Sequence, residues 1–189
     1  MDTEEMHRRT VDWWRSCVDT VGADQWGAPT PCAEWDVREL VNHVAGEDLW
    51  TVPLLEGRTI EEVGDRFDGD VLGDDPVGAA RSAADAAVAA VSGLLPERDT
   101  VHLSYGEERA DEYVWQLCAD HLIHGWDLAA ATAGDTRLDA ELLAALTDWY
   151  SSREEMYRGA GAVGDQVGLN GDPQHDLLAR FGRDEAWTS

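Results

Sequence analysis

The chain has 189 residues, 43% of them hydrophobic, which suffices for an ordinary single core without added staples. It carries 39 acidic residues against 14 basic ones, all arginine, for a formal charge of −25, and a surface of that sign repels phosphate backbones and anionic membranes. Nucleic-acid and membrane partners are therefore not expected, and the acidity reads as a solubility trait rather than a docking surface. Cys17, Cys32 and Cys118 show no CxxC spacing, so neither a thiol-rich zinc site nor a disulfide framework follows. The N-terminus is charged, without an apolar h-region, and no apolar run approaches bilayer length. The expectation is a soluble, cytoplasmic protein with reduced thiols.

A first helix is predicted over residues 4 to about 20, where Met6, Val11, Trp14, Val18 and Val21 recur at helical spacing. Gly22 to Trp35 is a loop. The second helix is announced by Asp36, with Glu39 completing a capping box and Trp35 placed to staple against Leu40. It should run to about Leu55 and stop at Gly57. Residues 57 to 74 are acidic and Gly-rich, a loop with one helical turn near Ile60 to Val63. Asp75-Pro76 opens an Ala-rich third helix that reaches about Leu94, because proline suits the first helical position. Thr100 to Tyr105 alternates enough for one short extended piece. Asp111 opens a fourth helix ending at Gly134, and Asp139 a fifth running to about Arg158. A Gly-rich tail follows, with a short helix over Asp176 to Phe181. Helices joined by connections this short predict an all-α, up-and-down bundle.

The chemistry concentrates in Asp120-His121-Leu122-Ile123-His124-Gly125-Trp126-Asp127-Leu128. Asp120 and His124 fall one turn apart on the stripe Tyr113, Leu117, Asp120, His124, Leu128, Ala131, which is otherwise apolar. Two ligand-type groups on a buried face are costly unless something binds them, and a divalent metal would. A buried Asp–His pair without metal is the alternative. His43, on the stripe Asp36, Leu40, His43, Glu47, Trp50, Leu54, could supply a third ligand. Three protein ligands and an open fourth position describe a catalytic zinc-type site. Glu47, one turn from His43, could be a further ligand, an acceptor for an imidazole N–H, or a base; a solvated surface glutamate is the plain alternative. His121 also permits an H-x-x-H pair, but it lies off the inward stripe and is placed either behind the ligands, supporting them, or at the mouth of the site. Asp127 could orient a neighbouring group or pair on the surface. Cys32 reads as a small buried residue rather than an activated thiol. His7, His102 and His175 are expected at the surface.

The runs Thr30-Pro31-Cys32-Ala33-Glu34-Trp35-Asp36-Val37-Arg38-Glu39-Leu40-Val41-Asn42-His43-Val44 and Asp120 to Ala130 (DHLIHGWDLAA) resemble the actinobacterial DinB-like proteins. More closely, they resemble the N-terminal domain of mycothiol-dependent maleylpyruvate isomerase and its metal-binding relatives. The resemblance covers about residues 5 to 160, and Leu177 to Trp187 is similar to the tail of the stand-alone relatives. It implies one DinB-like domain over residues 1–189, a four-helix bundle with extra short helices, a core over about 5–160 and a tail over 161–189. It also implies a divalent metal, zinc or alternatively nickel, held by a histidine on the second helix and an E-x-x-x-H pair on a later one. Those positions here are His43, Asp120 and His124, with Asp120 one methylene shorter than the family's glutamate. The implied activity is attack by a low-molecular-weight thiol of the mycothiol type on a small electrophilic substrate, as a thiol transferase or isomerase. A non-catalytic metal- or ligand-binding bundle of sensor or partner type is the alternative. The isomerase's own C-terminal domain has no counterpart in this sequence, so maleylpyruvate itself is not implied. The resemblance also suggests a homodimer.

Overall fold

In a computed structural model, which describes residues 1–188, four of the five long helices begin where a short acidic side chain satisfies an open N–H group, while the one that starts at Ala110 behind Arg109 has no side-chain cap. Asp2 accepts from the Glu5 N–H at the start of α1 (Thr3–Val18). Asp36 and Glu39 form a reciprocal capping box at α2 (Val37–Leu55). Thr59 and Glu62 do the same for the single turn α3 (Ile60–Val63). Asp75 caps α4 (Pro76–Leu94), whose first residue is the proline. A 3-10 turn (Leu95–Glu97) leads into an antiparallel hairpin of β1 (Thr100–Leu103) and β2 (Gly106–Arg109), in the register Thr100↔Arg109 and Leu103↔Gly106. Then come α5 (Ala110–Ala131), α6 (Ala140–Ser151), α7 (Glu154–Gly159) and α8 (Pro173–Arg180).

The molecule is thus mostly helical, and α5 lies at its centre. It packs on α1, α2 and α6, while α4 packs on α2 and α1. Tyr113, Val114, Leu117, Cys118, Leu122, Ile123, Trp126 and Leu128 are buried all round α5, which explains why its sequence shows an apolar majority instead of one stripe. Each large apolar side chain removed from water, such as Leu122 or Leu146, contributes about 1.5–3 kcal/mol. The Ala80, Ala83, Ala84 and Ala87 face of α4 is buried and small, which lets neighbouring helices approach it closely. Among the described residues, no helix is long and apolar enough to cross a membrane.

Three elements differ from the sequence expectation. The fifth helix does not run unbroken to Arg158 but ends at Ser151 and restarts at Glu154. Ser151 Oγ donates to the Thr147 carbonyl, and the Arg153 guanidinium donates to the Trp149 carbonyl at 2.7 Å and to Ser152 Oγ at 3.1 Å. Side chains therefore take carbonyls that the next helical turn would use. The extended piece at Thr100 is half of a hairpin whose second strand, Gly-Glu-Glu-Arg, has no apolar alternation to reveal it. The last helix begins earlier than Asp176, behind Asp172-Pro173, the same Asp-Pro start as α4.

Candidate metal centre

The loop before α2 builds the first wall of the site. Thr30 Oγ1 donates to the carbonyls of Trp35 (2.8 Å) and Cys32 (3.1 Å), and the Trp35 N–H donates to Cys32. So tied, the loop lays the Trp35 ring against His43, with ring centroids 4.5 Å apart, and near His124 at 5.7 Å. His43 on α2 meets His124 on α5 edge to face, 5.3 Å between centroids. One turn before His124 stands Asp120. One donor atom each from His43, Asp120 and His124 lies within 4.8 Å of the other two. Burial pushes the His43 pKa down, Asp120 opposing and His124 adding to the effect, which favours the neutral imidazole that can donate a lone pair.

Asp127 is fully buried, and its Oδ2 lies 2.9 Å from His124 Nδ1. Arg183 reaches the same carboxylate from the C-terminal segment, with Nη2 at 2.8 Å from Oδ2 and Nε at 3.1 Å from Oδ1. Burial alone would raise the Asp127 pKa; the His124 hydrogen bond and the Arg183 guanidinium outweigh it and hold the carboxyl below its ordinary value. An ionised carboxylate only accepts, so His124 Nδ1 is the donor and Nε2 is the ring's free lone pair. Gly182, at φ +78°, turns the chain after α8 so that Arg183 also donates to the Phe181 carbonyl at 2.8 Å.

These groups sit at one side of a cavity of about 690 Å³, within the range of small-molecule sites. Trp149, Tyr150, Tyr157 and Phe181 form an aromatic part of its wall, with Tyr150 and Phe181 stacked at 4.2 Å. Glu34 and Cys32 line it beside Trp35. Cys32 is half-buried, 3.5 Å from Arg183 Nη2; burial raises its pKa against the pull of the guanidinium, so the thiol form is favoured. Two imidazoles and one carboxylate facing an open cavity suit a zinc-type divalent ion better than calcium or magnesium, which prefer oxygen ligands.

Glu47 is half-buried and does not line the cavity. Burial, then Asp120 and Asp48, push its pKa up to about 7. His121 is not at the mouth: it is 1% exposed, with Nε2 at 3.0 Å from Asp48 Oδ1. His7 is not at the surface either. It is 1% exposed and lies edge-on to His121, 5.5 Å between centroids, because α1 packs along α5. His175 is partly covered in α8, its Nε2 2.9 Å from the Gly168 carbonyl, and His102 stands on β1 opposite Glu107. Sequence reasoning left Asp127 undecided and missed Arg183 and the aromatic wall. The signal for Asp127 was its place three residues after His124 in a buried run.

Two proteins of Mycobacterium tuberculosis, one from strain CDC 1551 / Oshkosh and one from strain ATCC 25618 / H37Rv, are 35% identical to the chain over 146 residues. That is 75% of this chain and 74% of each relative, and both are named as uncharacterized proteins. No solved structure matches the chain. Residues 7–129 match the mycothiol maleylpyruvate isomerase N-terminal domain, a span that contains His43, Asp120, His124 and Asp127 but not Arg183. With that match over more than half its length, the chain belongs to the mycothiol maleylpyruvate isomerase N-terminal domain family.

Proposed function

We propose that this chain is a divalent-metal-dependent enzyme that joins or adds a low-molecular-weight thiol of the mycothiol type to a small electrophile, as a transferase or isomerase. The observation that carries the reading is the buried His124–Asp127 hydrogen bond, which fixes one imidazole as a donor ligand at the head of a cavity. His43, Asp120 and His124 would hold the ion, zinc or alternatively nickel. Such an ion lowers the pKa of a thiol it binds, so that the thiolate is available near neutral pH. Asp127 and Arg183 hold the His124 ring in place. The wall of Trp149, Tyr150, Tyr157 and Phe181 excludes water and offers apolar surface to the electrophile. Glu47, with its pKa pushed up to about 7, lies outside the cavity lining, so it would act on a proton at the site only through the residues beside it. For the scaffold, we read α1, α2, α4 and α5 as a DinB-like up-and-down four-helix bundle, to which the hairpin and α6 to α8 are added; the helix pairings support this.

The lining also bears on the substrate. Its one arginine among the described residues, Arg183, is already paired with Asp127, while Glu34 and Asp120 add negative charge. An anionic group on the substrate would therefore have to meet the bound ion rather than a free side-chain cation of the lining.

The test is zinc titration of protein first stripped with EDTA in its folded state, followed by thiol-dependent turnover over a panel of electrophiles. About one equivalent should bind quickly, as expected for a three-ligand open site, and be lost in His124→Ala and Asp120→Ala together with turnover. Full turnover in the metal-free protein would overturn the reading.

A further inference from the structure

A second group of metal-type donors lies outside the cavity, and nothing above uses it. His7 on α1, Asp48 on α2 and His121 on α5 are exposed by 1%, 0% and 1%. One donor atom from each falls within 4.8 Å of the other two. His121 Nε2 and Asp48 Oδ1 are 3.0 Å apart. Two ligands each about 2.0–2.1 Å from a tetrahedral zinc-type ion stand about 3.3 Å apart, so this pair is already close to ligand spacing.

Hydrogen bonding within the protein does not account for the group. Asp48 Oδ2, His7 Nε2 and His121 Nδ1 are buried without a partner. The Leu117 carbonyl, one turn before His121, acts on that ring and helps to raise its pKa, but it makes no hydrogen bond of ordinary geometry with Nδ1. Each orphaned polar atom costs about 1–3 kcal/mol in a protein interior. A His121–Asp48 ion pair alone satisfies one oxygen and one nitrogen and leaves those three.

We propose that His7, Asp48 and His121 form a second, structural site for a zinc-type divalent cation, which ties α1, α2 and α5 together with one ligand from each. The cation takes both oxygens of the Asp48 carboxylate and the lone pairs of His7 Nε2 and His121 Nε2, four donors as a closed structural site requires, and leaves His121 Nδ1–H toward the Leu117 carbonyl. Two imidazoles and a carboxylate select a zinc-type ion over magnesium or calcium. Because the three side chains are at most 1% exposed, the ion enters while the chain folds and leaves when it unfolds. This separates it from the cavity site, whose ligands face open space.

The test uses tag-free full-length protein refolded from urea with zinc chloride, then challenged with EDTA under native conditions while released zinc is followed with a chromogenic chelator. The inference predicts two classes of zinc. The fast class reports the cavity site and disappears in His124→Ala. The slow class persists in His124→Ala, exchanges on the order of a thousandfold or more slowly, in step with global unfolding, and is lost in His7→Gln and in Asp48→Asn. Wild-type protein that folds with zinc present yet retains none after brief EDTA treatment overturns the inference without any variant, and so does a slow class that survives in either substitution. Those results leave a buried ion pair with a trapped water. Loss of the fast class alone in wild type would count against the cavity reading and leave the buried site standing.

Discussion

His124 and Asp127 lie one turn apart on α5 and share a 2.9 Å hydrogen bond, with Asp127 fully buried and His124 reaching the cavity. The bond fixes the tautomer of His124, and through it which nitrogen is free to bind. Asp127→Asn keeps an acceptor for Nδ1–H but removes the negative charge that makes the ring more basic. Zinc affinity of the cavity site, measured by competition with a chelator, should fall about 10–100-fold. An unchanged affinity would show that the charge of Asp127 adds nothing to the donor strength of His124.

Arg183 neutralises Asp127 from the far end of the chain. Arg183→Met leaves a buried carboxylate with His124 as its remaining partner, and removing one member of a buried pair costs about 3 kcal/mol. The urea midpoint should drop accordingly. Asp127→Asn/Arg183→Met should recover part of that loss, because neither charge is then stranded. Purely additive losses would mean that the 2.8 Å contact carries no coupling.

Glu47 sets a pH dependence with a definite sign. Its folded pKa of about 7 lies above its ordinary value of 4.5. Between those pH values the unfolded chain has released the proton and the folded chain still holds it. The stability of the metal-free protein should therefore fall as pH rises from about 4.5 to 7, by roughly 3 kcal/mol at most. His121, whose pKa is also raised, slopes the same way, and His7, lowered to about 3, slopes the opposite way, so the comparison must be with a variant. Urea midpoints of wild type and Glu47→Gln in EDTA should diverge over that window, the variant being flatter. Parallel curves would remove Glu47 as the cause.

Much of this arrangement is legible in the sequence, and what was not has physical reasons. Local signals worked: Asp36, Asp75 and Asp139 each cap the helix they announce. The stripes through His43 and through Asp120 and His124 bring those three side chains to one place, because helical spacing and burial are local properties of α2 and α5. His7 was misplaced although the signal was present: His7, Val11 and Trp14 are spaced by four and three residues on the buried face of α1. A charged N-terminal context outweighed that spacing. Arg183 had no such signal. It meets Asp127 across 56 residues and Cys32 across 151, through a turn at Gly182 that only the folded tail defines.

Gly125 shows how a residue inside the motif serves packing rather than chemistry. It sits on α5 against the Trp13 ring of α1, and a methyl group there would overlap the indole nitrogen. Ring and helix backbone are both rigid at that point, so overpacking should cost about 1–3 kcal/mol, more than the ~1 kcal/mol that alanine gains over glycine in a helix. Gly46 on α2 is the control, since a methyl group there meets nothing within 4 Å. Gly125→Ala should lower the melting temperature and Gly46→Ala should raise it. Trp13→Leu combined with Gly125→Ala should restore part of the loss, because the smaller side chain vacates the space. If Gly125→Ala melts at or above wild type, the approach of α1 to α5 is not what requires glycine at this position.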